Sequence, residues 1–139
     1  MLIFEILGKP IPQQHTRWKN GRAYNPNAVD IERIRWQISP HAPQVPLTGP
    51  IEVDFTFYMP IPKSTSSIRK RQMANALILP ITRPDVDNLG YLVTNALKSL
   101  IYADDAQIVD LHLHKRYGHT PKTICRIVEI ENSIQTPRF

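Results

Sequence analysis

The sequence predicts a single α+β domain over residues 1–139, with a mixed β-sheet and helices packed on one face of that sheet. Apolar and polar residues alternate strictly over residues 51–59, which predicts a half-buried strand. Apolar residues recur at helical spacing over residues 89–100, which predicts an amphipathic helix. A chain of 139 residues can bury one core but not two. The predicted order, β-α-β-α-α-β-β, is typical of an α+β domain.

The amino-terminal third is predicted to form a strand, a loop and a helix. The first strand covers residues 2–7 and ends at Gly8, before prolines that cannot donate to a β-ladder. Residues 13–25 are predicted to be a loop. An apolar repeat at helical spacing then predicts a helix that Asn25 or Asn27 caps and that ends before Pro40. The apolar repeat consists of Ala28, Ile31, Ile34 and Ile38.

The rest of the chain is predicted to add a strand, two helices and a hairpin. Residues 51–59 form the strand, and residues 64–76 form a short helix. The amphipathic helix follows, with Asp87 as its N-cap. Residues 106–117 and 123–131 are predicted to be strands that the segment 118–122 joins as a hairpin.

Composition narrows the classes of partner and site. Seventeen Lys and Arg against twelve Asp and Glu give a net charge of +5, which favours a polyanionic partner such as nucleic acid. The single cysteine, Cys125, is expected to be a core thiol and excludes an internal disulfide. No apolar run approaches the roughly 18 residues of a membrane span, and Glu5 is atypical of a signal peptide. We therefore expect a cytoplasmic protein without a membrane partner. The sequence contains no glycine-rich phosphate loop, so we expect no small-molecule cofactor.

Two basic segments are candidates for DNA contact. The first, over residues 13–25, interleaves aromatic residues with Arg17, Lys19 and Arg22, so it could neutralise phosphates and stack on bases. It could equally be a solvated loop. The second is the run Arg69, Lys70 and Arg71, which is either a solvated helix face or a DNA contact.

Four aspartates form the candidate metal site. Asp85 and Asp87 precede the amphipathic helix, and Asp104 and Asp105 follow it. Ten helical residues advance about 15 Å, whereas the eight that follow can return as much as about 26 Å, so the two pairs could meet. Carboxylates that converge in this way can bind Mg²⁺ or Mn²⁺. Enzymes that cleave phosphodiesters with a metal ion use this arrangement. Alternatively, Asp87 only caps the helix and Asp104 and Asp105 only make a turn.

Three motifs carry a resemblance to a known family. Residues 83–89 read RPDVDNL, residues 95–97 read NAL and residues 103–109 read ADDAQIV. This pattern resembles the RusA family of Holliday junction resolvases. The resemblance implies a homodimeric, Mg²⁺-dependent endonuclease, typically prophage-encoded, that nicks four-way junction DNA symmetrically. By motif position, it implies that Asp85, Asp87 and Asp105 are catalytic metal ligands and that Asp104 neighbours them.

The sequence departs from the family pattern at one position. The family commonly has Lys four residues after the second motif aspartate, where this chain has Tyr91. Tyr91 is expected to reach the acids and to donate a hydrogen bond to phosphate, and Lys115 is the expected substitute for the missing charge. The alternatives are a non-catalytic DNA-binding protein of this fold, or a metal-dependent nuclease that acts on other branched nucleic acids.

Overall fold

Six strands and three α-helices follow one another in residues 1–133, the part of the chain that the computed structural model describes. The last six residues of the predicted domain, 134–139, lie outside the described residues. The elements are β1 (Leu2–Leu7), β2 (Arg17–Lys19), β3 (Arg22–Tyr24), α1 (Ala28–Ile38), β4 (Ile51–Pro60), α2 (Ser67–Ala74), α3 (Val86–Leu97), β5 (Ile108–Gly118) and β6 (Lys122–Glu129).

Four of these strands form one mixed sheet in the order β1-β6-β4-β5. β5 runs parallel to β4, and the other two neighbouring pairs are antiparallel. Helices and a mixed sheet confirm the predicted α+β class.

The core lies between the sheet and the helices α1 and α3. Every second residue of β4, from Ile51 to Met59, is buried, which is the outcome that the strict alternation predicts. Seven residues of α3 are buried as well. Gly90 permits its close approach to the sheet, because a Cβ there would lie 2.8 Å from both Cδ atoms of Leu113 on β5.

The predicted hairpin between the last two strands is wrong. β6 pairs with β1 and β4, so β4 lies between β5 and β6. The reason is burial. Thr123, Cys125 and Ile127 of β6 are buried in the middle of the sheet, whereas Val109 and Leu111 of β5 are exposed at its edge.

Three smaller predictions also change. Residues 17–24 form the hairpin β2–β3 instead of a loop, and its turn has positive φ at Asn20 and Gly21. The N-cap of α3 is Asp85, not Asp87. Contrary to the prediction, the helices are not all packed on one face of the sheet. The end of α2 lines a cavity with Thr56 and His114, on the sheet face opposite to α1 and α3. In residues 1–133, no helix has the length and apolar character that a membrane span requires.

Candidate active site and nucleic-acid interface

The first acid pair lies at the amino-terminal end of α3. Asp85 is the N-cap but its side chain makes no capping hydrogen bond. The Oδ1 atom of Asp87 accepts a hydrogen bond from the N–H of Asn88 at 2.9 Å. Both residues are exposed, and the helix dipole favours negative charge here. The two carboxylates are therefore accessible to a cation.

Lys115 lies beside this acid pair. Its Nζ atom donates to the carbonyl oxygen of Thr82 at 2.7 Å and to that of Pro84 at 3.0 Å. These bonds hold the segment before Asp85 against β5, and they bring a positive charge to the helix start. The position fits the predicted substitute for the family lysine, and a role for Lys115 in catalysis stays a prediction.

The second acid pair lies at the other end of α3. The Oδ1 atom of Asp104 lies 3.4 Å from the Nζ atom of Lys98, the C-cap residue that directly follows α3. Asp104 also begins the 3₁₀ turn Asp105–Gln107, and its N–H donates to Oε1 of Gln107 at 2.8 Å. Both the predicted turn and an ion pair are therefore present at Asp104.

Asp105 is held in a less polar environment. It lies against Tyr102, which is 0% exposed and whose hydroxyl donates to the carbonyl oxygen of Thr94 at 2.8 Å. That hydroxyl has no second hydrogen, so the buried Oδ1 atom of Asp105 has no hydrogen-bond partner within residues 1–133. Burial raises the pKa of the Asp105 carboxyl, and the nearby Lys98 ammonium offsets this only in part. Burial, together with the Asp105 carboxylate, also raises the pKa of Tyr102.

The two acid pairs do not meet within one chain. The first pair is beside Lys115 and the second directly precedes Ile108, and seven strand residues span about 23 Å. Across residues 1–133, no three Asp, Glu, His or Cys side chains form a group that could hold a metal ion. The segment after α3 does not run back extended, because Ile101 and Tyr102 are buried in the core. They fix the segment at the carboxyl end of α3.

The basic hairpin β2–β3 is exposed and places its charges together. Residues two apart in a strand share a face, and residues directly paired across strands do so too. Lys19 pairs with Arg22, and Arg17 pairs with Tyr24. The three basic side chains therefore share one face with the Tyr24 ring, whereas Trp18 lies on the other. The Asn20-Gly21 turn, a strong hairpin signal, could have predicted this element.

The second basic run lies on α2. The hydroxyl of Ser66 accepts a hydrogen bond from the Arg69 N–H at 3.3 Å and caps this helix. Arg69 and Arg71 are exposed, whereas Lys70 is half-buried. Successive helical residues point about 100° apart, so the three side chains do not form one face.

Tyr91 lines a polar cavity that the sequence did not indicate. The ring is 59% exposed on the outer face of α3, one turn after Asp87. Opposite it is the segment that precedes the basic hairpin. The lining residues are Gln13, Gln14, His15, Thr16, Asn25, Asn88, Tyr91 and Asn95. They come from three separate parts of the chain, so no local pattern reveals them.

Comparison with known proteins gives two matches. The family model described as Endodeoxyribonuclease RusA matches residues 8–128, which include both acid pairs, the hairpin and α2. The Bacillus subtilis (strain 168) protein with the name "Uncharacterized protein YqaN" is 34% identical over 135 residues, covering 91% of this chain and 95% of that protein. The match to the family model covers most of the chain and the complete candidate site.

Proposed function

This chain belongs to the RusA family of endodeoxyribonucleases, and from that membership we propose that it resolves four-way DNA junctions by paired symmetric nicks. Membership of this family supports nuclease activity for the chain. The observation that carries the proposal is that the matched region includes Asp85, Asp87 and Asp105 at the motif positions, two of them exposed beside the Lys115 ammonium.

We propose Mg²⁺ as the cofactor, with Mn²⁺ as a possible replacement. Carboxylate oxygens are the ligands that these hard cations prefer. Asp85 and Asp87 supply accessible oxygens, and Asp105 supplies a buried oxygen that has no partner within the described residues. A bound divalent cation would polarise the phosphate and activate water.

We propose that each metal site is shared between two copies of the chain. Asp105 lies at the far end of β5 from Asp85 and Asp87, so one copy cannot supply all three acids to one ion. In a two-fold dimer, each chain can give its first acid pair to one site and its Asp105 to the other. Both sites are then completed at once, as paired nicks require.

The open edge of β5 supports such a dimer. Its residues Asp110, Leu111 and His112 are exposed, and within residues 1–133 it pairs with β4 at its other edge alone. Antiparallel pairing of two β5 edges about Leu111 would place Lys115 opposite the partner's Gln107, beside the partner's Asp105. It would also place Asp110 opposite the partner's His112. A two-fold axis at Asp110 would instead oppose two carboxylates, which is destabilising.

Cleavage of a synthetic four-way junction tests the activity. We expect paired nicks with Mg²⁺ and binding without cleavage in EDTA. A non-catalytic DNA-binding protein would bind in both conditions and never cut. A nuclease for other branched nucleic acids would cut flaps or RNA junctions faster than the four-way junction.

Mixing two inactive variants tests the shared site. Asp85→Asn and Asp105→Asn should each abolish cleavage without weakening junction binding. In their heterodimer one site holds both substitutions and the other holds neither. After subunit exchange, half of the dimers are mixed, so about one quarter of the parental sites return. Asp85→Asn mixed with Asp87→Asn should stay inactive. If the first mixture also stays inactive although heterodimers form, each site belongs to one chain.

A further inference from the structure

The polar cavity beside Tyr91 has the volume and lining of a ligand site. It measures about 530 Å³, within the roughly 300–1,000 Å³ typical of small-molecule sites. Five of its lining side chains are carboxamides, and the described lining contains no Asp, Glu, Lys or Arg. The lining also contains His15 and Tyr91, but carboxamides dominate it, so it suits an uncharged, hydrogen-bonding group better than a phosphate.

The position of the cavity relates it to the DNA path. Thr16 and Asn25 line it and directly flank the basic hairpin, while Asn88 lines it and directly follows Asp87. The cavity therefore lies between the side chains predicted to bind phosphates and those predicted to cut. A DNA strand that runs from the hairpin to Asp87 passes over it.

Part of the cavity wall is fixed in advance. The N–H of Gln13 donates to the Asn88 carbonyl oxygen at 2.9 Å, and Oε1 of Gln13 accepts from Nδ2 of Asn95 at 3.1 Å. The N–H of Gln14 donates to Oδ1 of the fully buried Asn27 at 2.7 Å. These bonds join the 13–14 segment to α1 and α3, so the wall does not need to be ordered on binding.

We propose that this cavity receives one unpaired nucleobase of the junction, next to the phosphate that is cut. The exposed carboxamides of Gln14 and Asn88 can each donate to and accept from a base edge. The Tyr91 ring can stack on the face of the base. The proposal rests on the proposed function, because it takes junction DNA as the substrate. It adds a binding site for one nucleobase to the active site.

A thermodynamic cycle between the side chains and the base tests this. Junction affinity is measured by fluorescence anisotropy in EDTA, for the parental protein and for Gln14→Ala/Asn88→Ala. A series of junctions carries one abasic nucleotide at each position that flanks the branch point. We expect the double variant to bind the intact junction about fivefold more weakly, the net value of about one hydrogen bond. At one abasic position, this difference should disappear.

The matched control is Gln44→Ala, which removes an exposed carboxamide that does not line the cavity. It should bind every junction as the parental protein does. An unchanged loss at all abasic positions, or no loss on the intact junction, would overturn the cavity assignment while leaving cleavage and the proposed function untouched. A parental protein that binds no junction DNA would overturn both.

Discussion

At the scale of single residues, the Asp105 carboxylate destabilises the fold and is at the same time suited to bind a cation. Its Oδ1 atom is buried without a hydrogen-bond partner in the described residues, and burial raises the pKa of its carboxyl. A carboxylate in such a position costs folding stability, because its charged form is poorly solvated. Strained or perturbed acids of this kind concentrate at functional sites. This agrees with the family resemblance, which implies by motif position, independently of the structure, that Asp105 is a metal ligand.

The pH dependence of stability follows from the raised pKa of Asp105. The unfolded-state pKa of an aspartate is about 3.9, and the folded-state pKa here is higher. The folded state therefore binds more protons between these values, and stability falls as pH rises through that interval. Above the folded-state pKa the cost is fully present. We expect Asp105→Asn in EDTA to raise the Tm at pH 7, and this gain to vanish as the pH falls below about 4.

Thermal unfolding followed by circular dichroism measures this difference. Asp104→Asn is the control, because Asp104 is exposed and pairs with Lys98 at 3.4 Å. Its removal should not raise the Tm. A Tm of Asp105→Asn that equals the parental value at pH 7 would show that the buried carboxylate carries no cost.

Sequence reasoning located the acids but not their separation. The family resemblance implies, by motif position, that Asp85, Asp87 and Asp105 are the metal-binding acids. Whether they meet depends on residues 98–104, where the maximum reach of an extended chain would allow closure. The structure shows that burial of Ile101 and Tyr102 decides the path instead. This burial is a tertiary effect, which the maximum length of an extended segment does not predict.

At the scale of elements, the close approach of α3 to β5 depends on Gly90. Alanine is about 1 kcal/mol better than glycine in a helix interior, but overpacking costs about 1–3 kcal/mol. The new Cβ would lie 2.8 Å from both Cδ atoms of Leu113. We expect Gly90→Ala to lower the free energy of unfolding by about 1 kcal/mol. In a Leu113→Ala background the clash is absent, so the same change should raise it by about 1 kcal/mol.

Urea unfolding of the four proteins in this cycle gives the coupling directly. In the second background, the free energy of unfolding of the double variant is compared with that of Leu113→Ala alone, because truncation of Leu113 is itself destabilising. If Gly90→Ala has the same sign in both, helix propensity or the backbone decides the effect and Leu113 does not.

The two basic elements should contribute unequally to the salt dependence of DNA binding. Arg17, Lys19 and Arg22 share one face of the hairpin, whereas only two of the three basic side chains on α2 are exposed. Each neutralised phosphate adds about −0.9 to the slope of log K against log salt. Alanine at all three hairpin positions should flatten the slope by about 2.7, and alanine at Arg69, Lys70 and Arg71 by at most about 1.8.

Binding to duplex DNA and to a four-way junction over a range of salt gives these slopes. Lys63→Ala, at an exposed site outside both elements, provides the control for loss of one charge. An unchanged slope for the α2 variant would identify its basic run as a solvated helix face. An unchanged slope for the hairpin variant would remove the hairpin from the DNA interface.

At the scale of the whole molecule, local periodicity predicted the elements better than their arrangement. The alternation in β4 and the helical spacing in α3 are confirmed because each element buries one face against the core. The order of strands depends on which strand buries more apolar surface. β6 is buried between β1 and β4, and this leaves β5 at the edge. The β5 edge, which no other strand covers in residues 1–133 and which supports the proposed dimer, is therefore a consequence of a strand order that the sequence did not predict.

The proposed dimer makes a covalent prediction at its two-fold axis. Leu111 is 46% exposed on the β5 edge, and pairing about this residue would place its Cβ about 4.5–5.5 Å from that of its own copy. A disulfide needs a Cβ separation of about 3.5–4.5 Å, which a small shift provides. We expect Leu111→Cys to give a disulfide-linked dimer on mild oxidation, visible on a non-reducing gel, that still cuts junctions.

The native Cys125 does not confuse the result, because it is buried in β6. Val29→Cys is the matched control, since Val29 is 78% exposed on α1 and lies away from the β5 edge. It should stay uncrosslinked under the same conditions. A protein that is dimeric by light scattering but does not crosslink through Leu111→Cys would place the interface elsewhere. A monomer both free and on junction DNA would reject the shared site, because one copy holds its two acid pairs at opposite ends of α3 and cannot complete that site alone.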